Sequence, residues 1–587
     1  MSNNQSKSSD LTLLIRVLRV AKPFKSLFWW SIILSVIITP FSIAQPFIVQ
    51  MIVDKHIVPG IQEGIVWLAL LFVLVLVVNV VLKYFFIYIT AKLGQNVIKV
   101  LRTRVFNHVI HLRSRYFDTT PIGTSTTRTI NDIEAINNVF AQGVITITAD
   151  IITIFAVTGV MLFTSWRLTL IVFITMPFML LATYVFKEKV KVSYQKVRTQ
   201  IANMNAFLQE RISGMKTVQI FHAEKKESDV FREINRKYTS ANLENVFYYA
   251  VFFPFVELVS SVALALLIWL GARGFLEDKV TFGALVAFPL YLNLLFRPIR
   301  FLADKFNTMQ MGLVAAERVF KLLDRNEHIP DDGKISREYL GGKVTFHHVW
   351  FAYDSDNFVL RDVNFEIKPG EKLAIIGSTG SGKSTIINIL NRFYDIQKGS
   401  IFIDDIDIKE YTIRSLRQRI AIVLQDVFLF HGTVYENITL MDKNIRLDKV
   451  KEASSIIGAN KYIENLPGGY DFMIMERGSN LSVGQRQLIS FVRALVFNPD
   501  ILILDEATSS IDTETEMVIQ HAIEKLIEKR TSIIIAHRLS TIRNVDQIIV
   551  LKNGEVVEKG NHESLFSKEN GHYKELFDMQ FSEALNS

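Results

Sequence analysis

The chain has 587 residues, which exceeds the size of a single hydrophobic core and predicts at least two domains. It contains no cysteine, so disulfides, thiolate metal sites and thiol catalysis are excluded. Lysine and arginine outnumber aspartate and glutamate by 65 to 58, a formal charge of +7, and 49% of the residues are hydrophobic. Because apolar residues concentrate in roughly the first 300 positions, the basic balance indicates a membrane protein with basic cytoplasmic loops. The polar start MSNNQSKSSD predicts no signal peptide.

Six segments in the first half of the chain are long and apolar enough to cross a bilayer as helices, which takes about 20 residues. They cover roughly 27–53, 65–90, 139–163, 166–186, 246–270 and 280–302. Basic residues precede the first span and fill the two long connections at about 91–138 and 187–245. This distribution predicts a multi-pass membrane protein with the N-terminus and the second half of the chain in the cytoplasm. We expect its membrane to be the cell inner (plasma) membrane.

The two long connections repeat apolar residues at helical spacing, so they predict helices that extend the spans into the cytoplasm. Each has a break, YFDTTPIGT at 116–124 and ISGMKTVQIFHAEKK at 212–226. A solvated turn is one interpretation. We favour docking against another domain, because each break lies at the tip of a long helical hairpin, where Tyr116, Phe117 and Phe221 would otherwise be exposed.

Three ionisable residues, Lys83, Asp150 and Glu257, lie inside predicted spans. Each would cost about 2.5–3.5 kcal/mol if it faced lipid, so they should face the bundle interior or a water-filled cavity. Asp150 and Glu257 are candidates for a cavity that binds a charged or amphipathic substrate. An internal ion pair or a hydrogen bond between helices explains the same residues, and the proline near Glu257 permits a kink.

In the second half, after the polar stretch HIPDDGKISREYLGG, short β-like runs alternate with helices. The sequence therefore predicts a helical membrane domain at 1–325, a linker at 326–342 and an α/β domain at 343–587. KLAIIGSTGSGKST matches the phosphate-binding loop G-x-x-x-x-G-K-[ST] between a strand and a helix, which predicts that 343–587 is a nucleotide-binding domain. The residues of this loop that we expect at ATP are Gly377, Ser378, Thr379, Gly380, Ser381, Gly382, Lys383, Ser384 and Thr385. Lys383 would reach the β- and γ-phosphates, and Ser384 would bind Mg²⁺.

The run ILILDE ends a predicted buried strand in two acids. Asp505 would join the Mg²⁺ coordination shell, and Glu506 would polarise or position the attacking water.

RGSNLSVGQRQL, at 477–488, forms a second anion-facing feature, a polar turn that opens a predicted helix. A chain with one complete phosphate loop does not need a second such face for its own nucleotide.

Together these motifs resemble those of an ATP-binding cassette exporter half-transporter, and the resemblance spans essentially the whole chain. LSVGQ resembles the family signature LSGGQ, so Leu481, Ser482, Val483, Gly484 and Gln485 are expected to act on the ATP of a partner chain. The resemblance also assigns other positions: Tyr353 to adenine stacking, Gln425 to Mg²⁺ and water, Ser510 and Asp512 to the loop after the catalytic acid, and His537 to the γ-phosphate. The segment MERG resembles the stretch that meets the membrane helices in exporters. Val483 departs from the usual glycine and would be strained if its φ were positive.

The resemblance implies a dimer that sandwiches two ATP molecules with Mg²⁺ and exports a hydrophobic or amphipathic drug or lipid by alternating access. Because Glu506, Gln425 and His537 are all retained, the chain is either a subunit of a homodimer or the competent half of a heterodimer, and we favour the homodimer. The alternatives are the competent half of a heterodimer, an exporter-fold importer and an ATP-gated regulator. Membrane lipid is an expected partner, and nucleic acid is not.

Overall fold

The computed structural model describes residues 12–354, 357–505, 513–535 and 542–585. The chain divides into two compact units. The first comprises Met1–Ile110 and Thr120–Asn326, and the second comprises His111–Thr119 and Glu327–Ser587. The division therefore lies next to the expected end of the membrane domain at 325. The expected linker, apart from Asn326, belongs to the second unit, and so does the short stretch His111–Thr119, which we name the tip segment.

Within its described residues, the regular secondary structure of the first unit is entirely helical, with short turns between the helices. Its helices are α1 (12–20), α2 (Lys25–Ile52), α3 (Ile65–Val109), α5 (Ile122–Thr129), α6 (Asn131–Asn138), α7 (Ile145–Thr164), α8 (Trp166–Ser213), α9 (Met215–Ile220), α10 (Glu224–Leu276) and α11 (Phe282–Leu323). Within the described residues, six helices are long and apolar enough to cross a membrane, which confirms the six predicted spans. Helices α3, α8, α10 and α11 are 42–53 residues long and continue well past their apolar parts, so the long connections are helical as predicted.

The outward surface of these helices is apolar, whereas their mutual contacts form a core. Helix α3 exposes large apolar side chains such as Trp67, Leu74 and Ile87, as expected of a surface that faces lipid rather than water. The core of the unit lies where α7, α8, α10 and α11 meet, around Met179, Phe252 and Phe288.

The breaks fall close to the expected places. Helix α8 ends at Ser213 and α10 begins at Glu224, within the break expected at 212–226. Helix α3 ends at Val109, earlier than the expected break at 116, and the tip segment contains a separate helix, α4 (Ser114–Thr119). The cause is tertiary, because Tyr116 is fully buried within the second unit.

The second unit contains three sheets among its described residues. Its strands are β1 (Val344–Phe351), β2 (Leu360–Ile367), β3 (Lys372–Gly377), β4 (Lys398–Ile403), β5 (Ile406–Asp407), β6 (Ile420–Val423), β7 (Gly432–Thr433), β8 (Met473–Ile474), β9 (Ile501–Asp505), β10 (Thr531–Ile535), β11 (Gln547–Lys552) and β12 (Glu555–Gly560). Its further helices are α12 (Lys383–Leu390), α13 (Ile413–Arg419), α14 (Val434–Thr439), α15 (Leu447–Ile456), α16 (Asn460–Glu464), α17 (Val483–Val496), α18 (Thr513–Ile527), α19 (His562–Phe566) and α20 (His572–Leu585).

The six-stranded sheet, in the order β12-β11-β3-β10-β9-β6, is the platform of this unit. Its five strands from β11 to β6 are parallel, and β12 is an antiparallel edge. Both faces are covered, because side chains alternate: Leu502 and Leu504 of β9 enter one apolar core, and Ile501 and Ile503 enter the other. The antiparallel sheet β2-β1-β4-β5 contributes Val344 and its neighbours to the second of these cores.

Candidate nucleotide site

The sheet topology brings the predicted phosphate-binding and catalytic segments to one edge. Strands β3, β10, β9 and β6 are adjacent and parallel, so their carboxyl ends point the same way. The phosphate loop follows β3, Asp505 ends β9, and Gln425 follows β6 by two residues. In open parallel sheets, ligands bind at this edge of the strands. The sequence motifs thus converge in space although they are up to about 130 residues apart.

The phosphate loop has the backbone that its glycines require. Gly382 has φ 104° and precedes α12, and a Cβ added there would lie 2.6 Å from Leu360 Cδ2. A Cβ on Gly377 would lie 2.5 Å from the carbonyl oxygen of Leu551. The Oγ of Ser381 is buried and has no hydrogen-bond partner among the residues that the structure describes. A backbone without space for side chains and an unused buried hydroxyl both fit a loop that wraps phosphates.

Lys383 points back across this loop. Its ammonium donates hydrogen bonds to the carbonyl oxygens of Gly377 at 2.7 Å and Ser378 at 3.0 Å. Burial lowers the pKa of Lys383, and the nearby Asp505 carboxylate acts in the opposite direction. A partly desolvated cation over the loop, beside a carboxylate, is suited to hold phosphate groups. Oxygen donors from Ser384, Asp505 and Gln425 are the ligand type that Mg²⁺ prefers, so the residues present fit that ion.

Several predicted residues of the nucleotide site lie outside the described residues. They are Glu506, Ser510, Asp512 and His537. The strands that lead to the first and last of them are described, since β9 ends at Asp505 and β10 ends at Ile535. Their roles stay predictions.

Tyr353, the expected adenine-stacking residue, lies beside the phosphate-loop helix. Its hydroxyl is 3.2 Å from the hydroxyl of Thr385 and accepts a hydrogen bond of 3.2 Å from the Asn388 amide of α12. The rings of Tyr353 and Tyr394 pack edge to face, with centroids 5.0 Å apart and an interplanar angle of 89°. Tyr394 in turn donates a hydrogen bond to the Asp118 carboxylate of the tip segment.

The tip segment is held in the second unit by further contacts. Arg113 donates a hydrogen bond of 2.8 Å to the carbonyl oxygen of His328, and its guanidinium is 3.3 Å from the Asp395 carboxylate. Arg115 pairs with Asp354 at 3.4 Å, and both side chains are exposed. Docking at the first tip is confirmed by these contacts and by the buried Tyr116. At the second tip, Phe221 is 76% exposed in the single chain, so docking there stays a prediction.

The signature segment opens α17 with a complete capping box. The Ser482 hydroxyl accepts from the Gln485 backbone N–H at 3.2 Å, and the Gln485 side chain accepts from the Ser482 N–H at 2.9 Å. Val483 is the first residue of the helix, so it has ordinary helical backbone angles and the suspected strain is absent. Among the described residues, no hydrogen bond joins this segment to the phosphate loop. Ser482 and Val483 are exposed.

The three charged residues within the spans differ in burial and in their partners. Asp150 is half-buried and forms an ion pair with Lys305. Glu257 is exposed in the single chain, and one oxygen lies 3.9 Å from the Arg300 guanidinium. Lys83 is exposed. The ion-pair interpretation therefore applies to Asp150, and the cavity role of both carboxylates stays a prediction.

A cavity of about 880 Å³ does lie in the first unit, between α2 and α7. Its lining is mostly apolar and includes Thr39, Phe47, Gln50, Ala156 and Phe163, but neither Asp150 nor Glu257. The Gln50 Oε1 atom is buried without a hydrogen-bond partner in the described part of the chain.

Sequence reasoning missed three residues that connect these parts. Tyr394 and Asp118 were not singled out, although the aromatic and acidic run RFYD, which begins seven residues after Thr385, was a usable signal for Tyr394. Arg493 of α17 donates to the carbonyl oxygens of Asn437 at 2.9 Å and Phe428 at 3.3 Å. It thereby connects the signature helix α17 to the loop that follows Gln425. The spacing of residues in the sequence does not predict this contact.

Known proteins carry the same combination of parts. Residues 28–299 match the family model of the ABC transporter transmembrane region, and residues 360–509 match that of the ABC transporter itself. A probable multidrug resistance ATP-binding/permease protein, YheH, of Bacillus subtilis (strain 168) is 38% identical over 88% of this chain and 77% of its own length. The ATP-dependent lipid A-core flippase of Syntrophus aciditrophicus (strain SB) is 34% identical over 97% of this chain and 94% of its own. Among solved structures, a bacterial Atm1-family ABC exporter with ATP bound has a TM-score of 0.79 and 29% identity, covering 95% of this chain and 98% of that one. The chain therefore belongs to the ABC transporters, as an exporter-type member that couples ATP hydrolysis to transport.

Proposed function

We propose that two copies of this chain form an exporter that moves a hydrophobic or amphipathic molecule, a drug or a lipid, across the cell inner membrane. ATP binding closes the dimer and hydrolysis reopens it, so the membrane cavity opens to each side in turn. The N-terminus and the second unit are cytoplasmic, and the basic connections between the spans support that orientation.

The proposed dimer rests on the observation that the phosphate loop and the signature segment are separate within one chain. The phosphate loop and the signature segment share no hydrogen bond among the described residues, and Ser482 is exposed at the start of a 14-residue helix. An exposed helix N-terminus favours an anion. In a dimer, Ser482 and Gly484 of each chain would face the γ-phosphate held by the other chain.

The residues at the sheet edge then have distinct roles in hydrolysis. Lys383 holds the phosphates, while Ser384, Asp505 and Gln425 would hold Mg²⁺, which neutralises phosphate charge. Glu506 positions the water as its oxygen attacks the γ-phosphorus, and His537 contacts the γ-phosphate. All of these groups follow the carboxyl ends of neighbouring parallel strands, which supports a common site.

Coupling to the membrane helices would run through the tip segment. It is joined covalently to α3 on one side and to α5 on the other, and its contacts lie within the nucleotide-binding unit. A rearrangement around the nucleotide is therefore imposed on both helices. The second tip at 212–226 would dock on the partner chain, because its Phe221 is exposed in the single chain.

The cavity of the first unit supports the substrate class. Its volume of about 880 Å³ lies in the range of pockets for small molecules. Its apolar walls suit a lipid tail or an aromatic drug, and the unpartnered Gln50 Oε1 would accept a hydrogen bond from a polar group of the substrate. YheH is named as a probable multidrug resistance protein and the Syntrophus aciditrophicus relative as a lipid flippase, and both classes fit such a cavity.

The test is ATP hydrolysis by the purified chain alone in lipid nanodiscs, with the oligomer mass measured on the same sample. We expect a dimer that hydrolyses ATP and loses turnover in Glu506→Gln. The matched control is Glu524→Gln, which changes an exposed glutamate of α18. An idle dimer or an inactive monomer would refute the homodimer as the working exporter and indicate a missing partner chain. Normal turnover in Glu506→Gln would refute the catalytic assignment.

A further inference from the structure

A second cavity, of about 530 Å³, lies in the first unit where α1, α3 and α11 meet. Its lining is basic, with apolar walls, and comprises Arg16, Arg19, Val20, Arg104, His108, Phe320 and Leu323. It is separate from the apolar cavity between α2 and α7, with which it shares no lining residue. Neither the nucleotide site nor the proposed transport pathway uses it.

One of its three guanidinium groups is already neutralised. Arg16 donates two hydrogen bonds to the Asp324 carboxylate, at 2.7 and 2.5 Å, and its guanidinium lies 4.3 Å from the centre of the Phe320 ring. The hydrogen bonds from Arg16 lower the pKa of Asp324. This pair therefore stays ionised, and it fixes α1 against the end of α11.

The other two guanidinium groups have no such counter-charge. Among the described residues, neither Arg19 nor Arg104 forms an ion pair or a hydrogen bond. They come from different helices, α1 and α3, and yet line the same cavity. Like charges that converge on a concave site raise the local concentration of anions. The planar guanidinium presents paired N–H donors that match phosphate oxygens in a bidentate manner.

We propose that this cavity binds a soluble anion that carries a phosphate group. Its volume is within the range of about 300–1,000 Å³ typical of small-molecule sites. The anion bridges Arg19 of α1 and Arg104 of α3, while Arg16 forms the wall that Asp324 and Phe320 hold in place. Binding therefore ties the N-terminal helix α1 to the cytoplasmic end of α3.

The position of the cavity relative to the bilayer distinguishes a soluble phosphate from a lipid headgroup as its ligand. Arg104 lies near the C-terminal end of the 45-residue helix α3, about 58 Å from its first residue at about 1.5 Å per residue. A bilayer with its headgroups is about 40–45 Å thick, and a typical tilt of about 20° shortens the helix projection by only a few ångströms. With α3 starting at the outer surface, the cavity lies beyond the inner headgroups.

Inorganic pyrophosphate is a suitable probe, applied to the full-length chain in phosphatidylcholine nanodiscs with saturating ADP to occupy the phosphate loops. Calorimetry should detect one pyrophosphate site per chain. The double variant Arg19→Gln/Arg104→Gln should weaken binding on the order of a hundredfold, about tenfold per lost guanidinium. The control Arg102→Gln alters a nearby arginine of α3 that is 3.8 Å from Glu134 and does not line the cavity. It should bind within twofold of the unchanged chain.

Hydrogen exchange separates the two phosphate sources. Pyrophosphate should slow backbone exchange of residues 12–20 in the unchanged chain and not in the double variant. Nanodiscs that contain phosphatidylglycerol, without pyrophosphate, should leave that exchange unchanged. Protection by phosphatidylglycerol alone would overturn the soluble ligand in favour of a lipid headgroup. Equal pyrophosphate binding by the unchanged chain and the double variant would overturn the site itself.

Discussion

Replacing Tyr394 with phenylalanine measures how firmly the tip segment is held. The substitution removes only the hydroxyl that donates to the Asp118 carboxylate, and it keeps the ring contact with Tyr353. Burial first, and then the hydrogen bond, raise the pKa of Tyr394 well above its usual range, so the phenol remains the donor at neutral pH. A hydrogen bond to a charged group contributes about 1.5–3 kcal/mol, and solvent exposure reduces this pair to about 1 kcal/mol. Local opening should therefore become roughly fivefold more frequent.

The assay is backbone hydrogen exchange of the full-length chain in nanodiscs. Local opening controls exchange of the tip amides, for example the Arg113 N–H, which donates to the Glu327 carbonyl oxygen at 2.9 Å. In Tyr394→Phe the peptide that covers 111–119 should exchange roughly fivefold faster, and the β9 peptide should not change. Asp118→Ala should have the same effect, and the double variant should add nothing, because both changes remove one bond.

Tyr394→Ala extends the series by removing the ring that packs against Tyr353. An edge-to-face aromatic pair is worth about 0.5–1.5 kcal/mol beyond its buried area. If Tyr353 stacks on adenine, the dissociation constant of a fluorescent ATP analogue should rise about fivefold in Tyr394→Ala and less than twofold in Tyr394→Phe. Unchanged tip exchange in Tyr394→Phe would refute the proposed attachment. An unchanged dissociation constant in Tyr394→Ala would refute the positioning of Tyr353.

Three further substitutions test the nucleotide site itself. Glu506→Gln should retain ATP binding and reduce phosphate release on the order of 10²–10⁴-fold, and a loss below tenfold would contradict its role with the attacking water. Val483→Gly should leave turnover within twofold, because Val483 is helical and glycine relieves no strain there; a large gain in turnover would contradict that reasoning. Gly382→Ala should raise the ATP dissociation constant at least tenfold, since φ is 104° and the new Cβ meets Leu360. Unchanged ATP binding in a thermally stable Gly382→Ala variant would contradict the need for glycine.

The sequence was sufficient where function depends on local chemistry or on length. Six apolar segments predicted six spans, because a bilayer imposes a minimum helix length that few soluble proteins match. The phosphate loop was recognisable because its glycines, Lys383 and Ser384 are needed at fixed spacing. Its position between a strand and a helix was predicted as well, and the structure places the loop between β3 and α12.

Tertiary packing decided what the sequence could not predict. Helix α3 ends at Val109 although helical spacing continues beyond it, because the tip segment packs in the other unit and buries Tyr116. Tyr394 and Asp118 are 276 positions apart, and neither belongs to a motif that we used. The sequence also did not predict the backbone angle φ of Val483. A valine at the usual glycine position does not show whether φ is positive or negative, and only the start of α17 shows that Val483 is helical.

Tyr394 joins two proposed roles in one side chain, and this has a thermodynamic consequence. Its hydroxyl bonds to the tip segment, and its ring packs against the tyrosine expected to stack on adenine. If nucleotide moves Tyr353, it must change the stability of the tip contact, and the tip must change nucleotide affinity by the same factor. The two equilibria are therefore linked before any rearrangement of the membrane helices is considered. The measurement is backbone hydrogen exchange of the tip segment with and without ATP. If ATP still changes this exchange in Tyr394→Ala, the linkage runs through other residues. If the effect of ATP is lost in that variant, the first step of coupling is assigned to the Tyr394 ring.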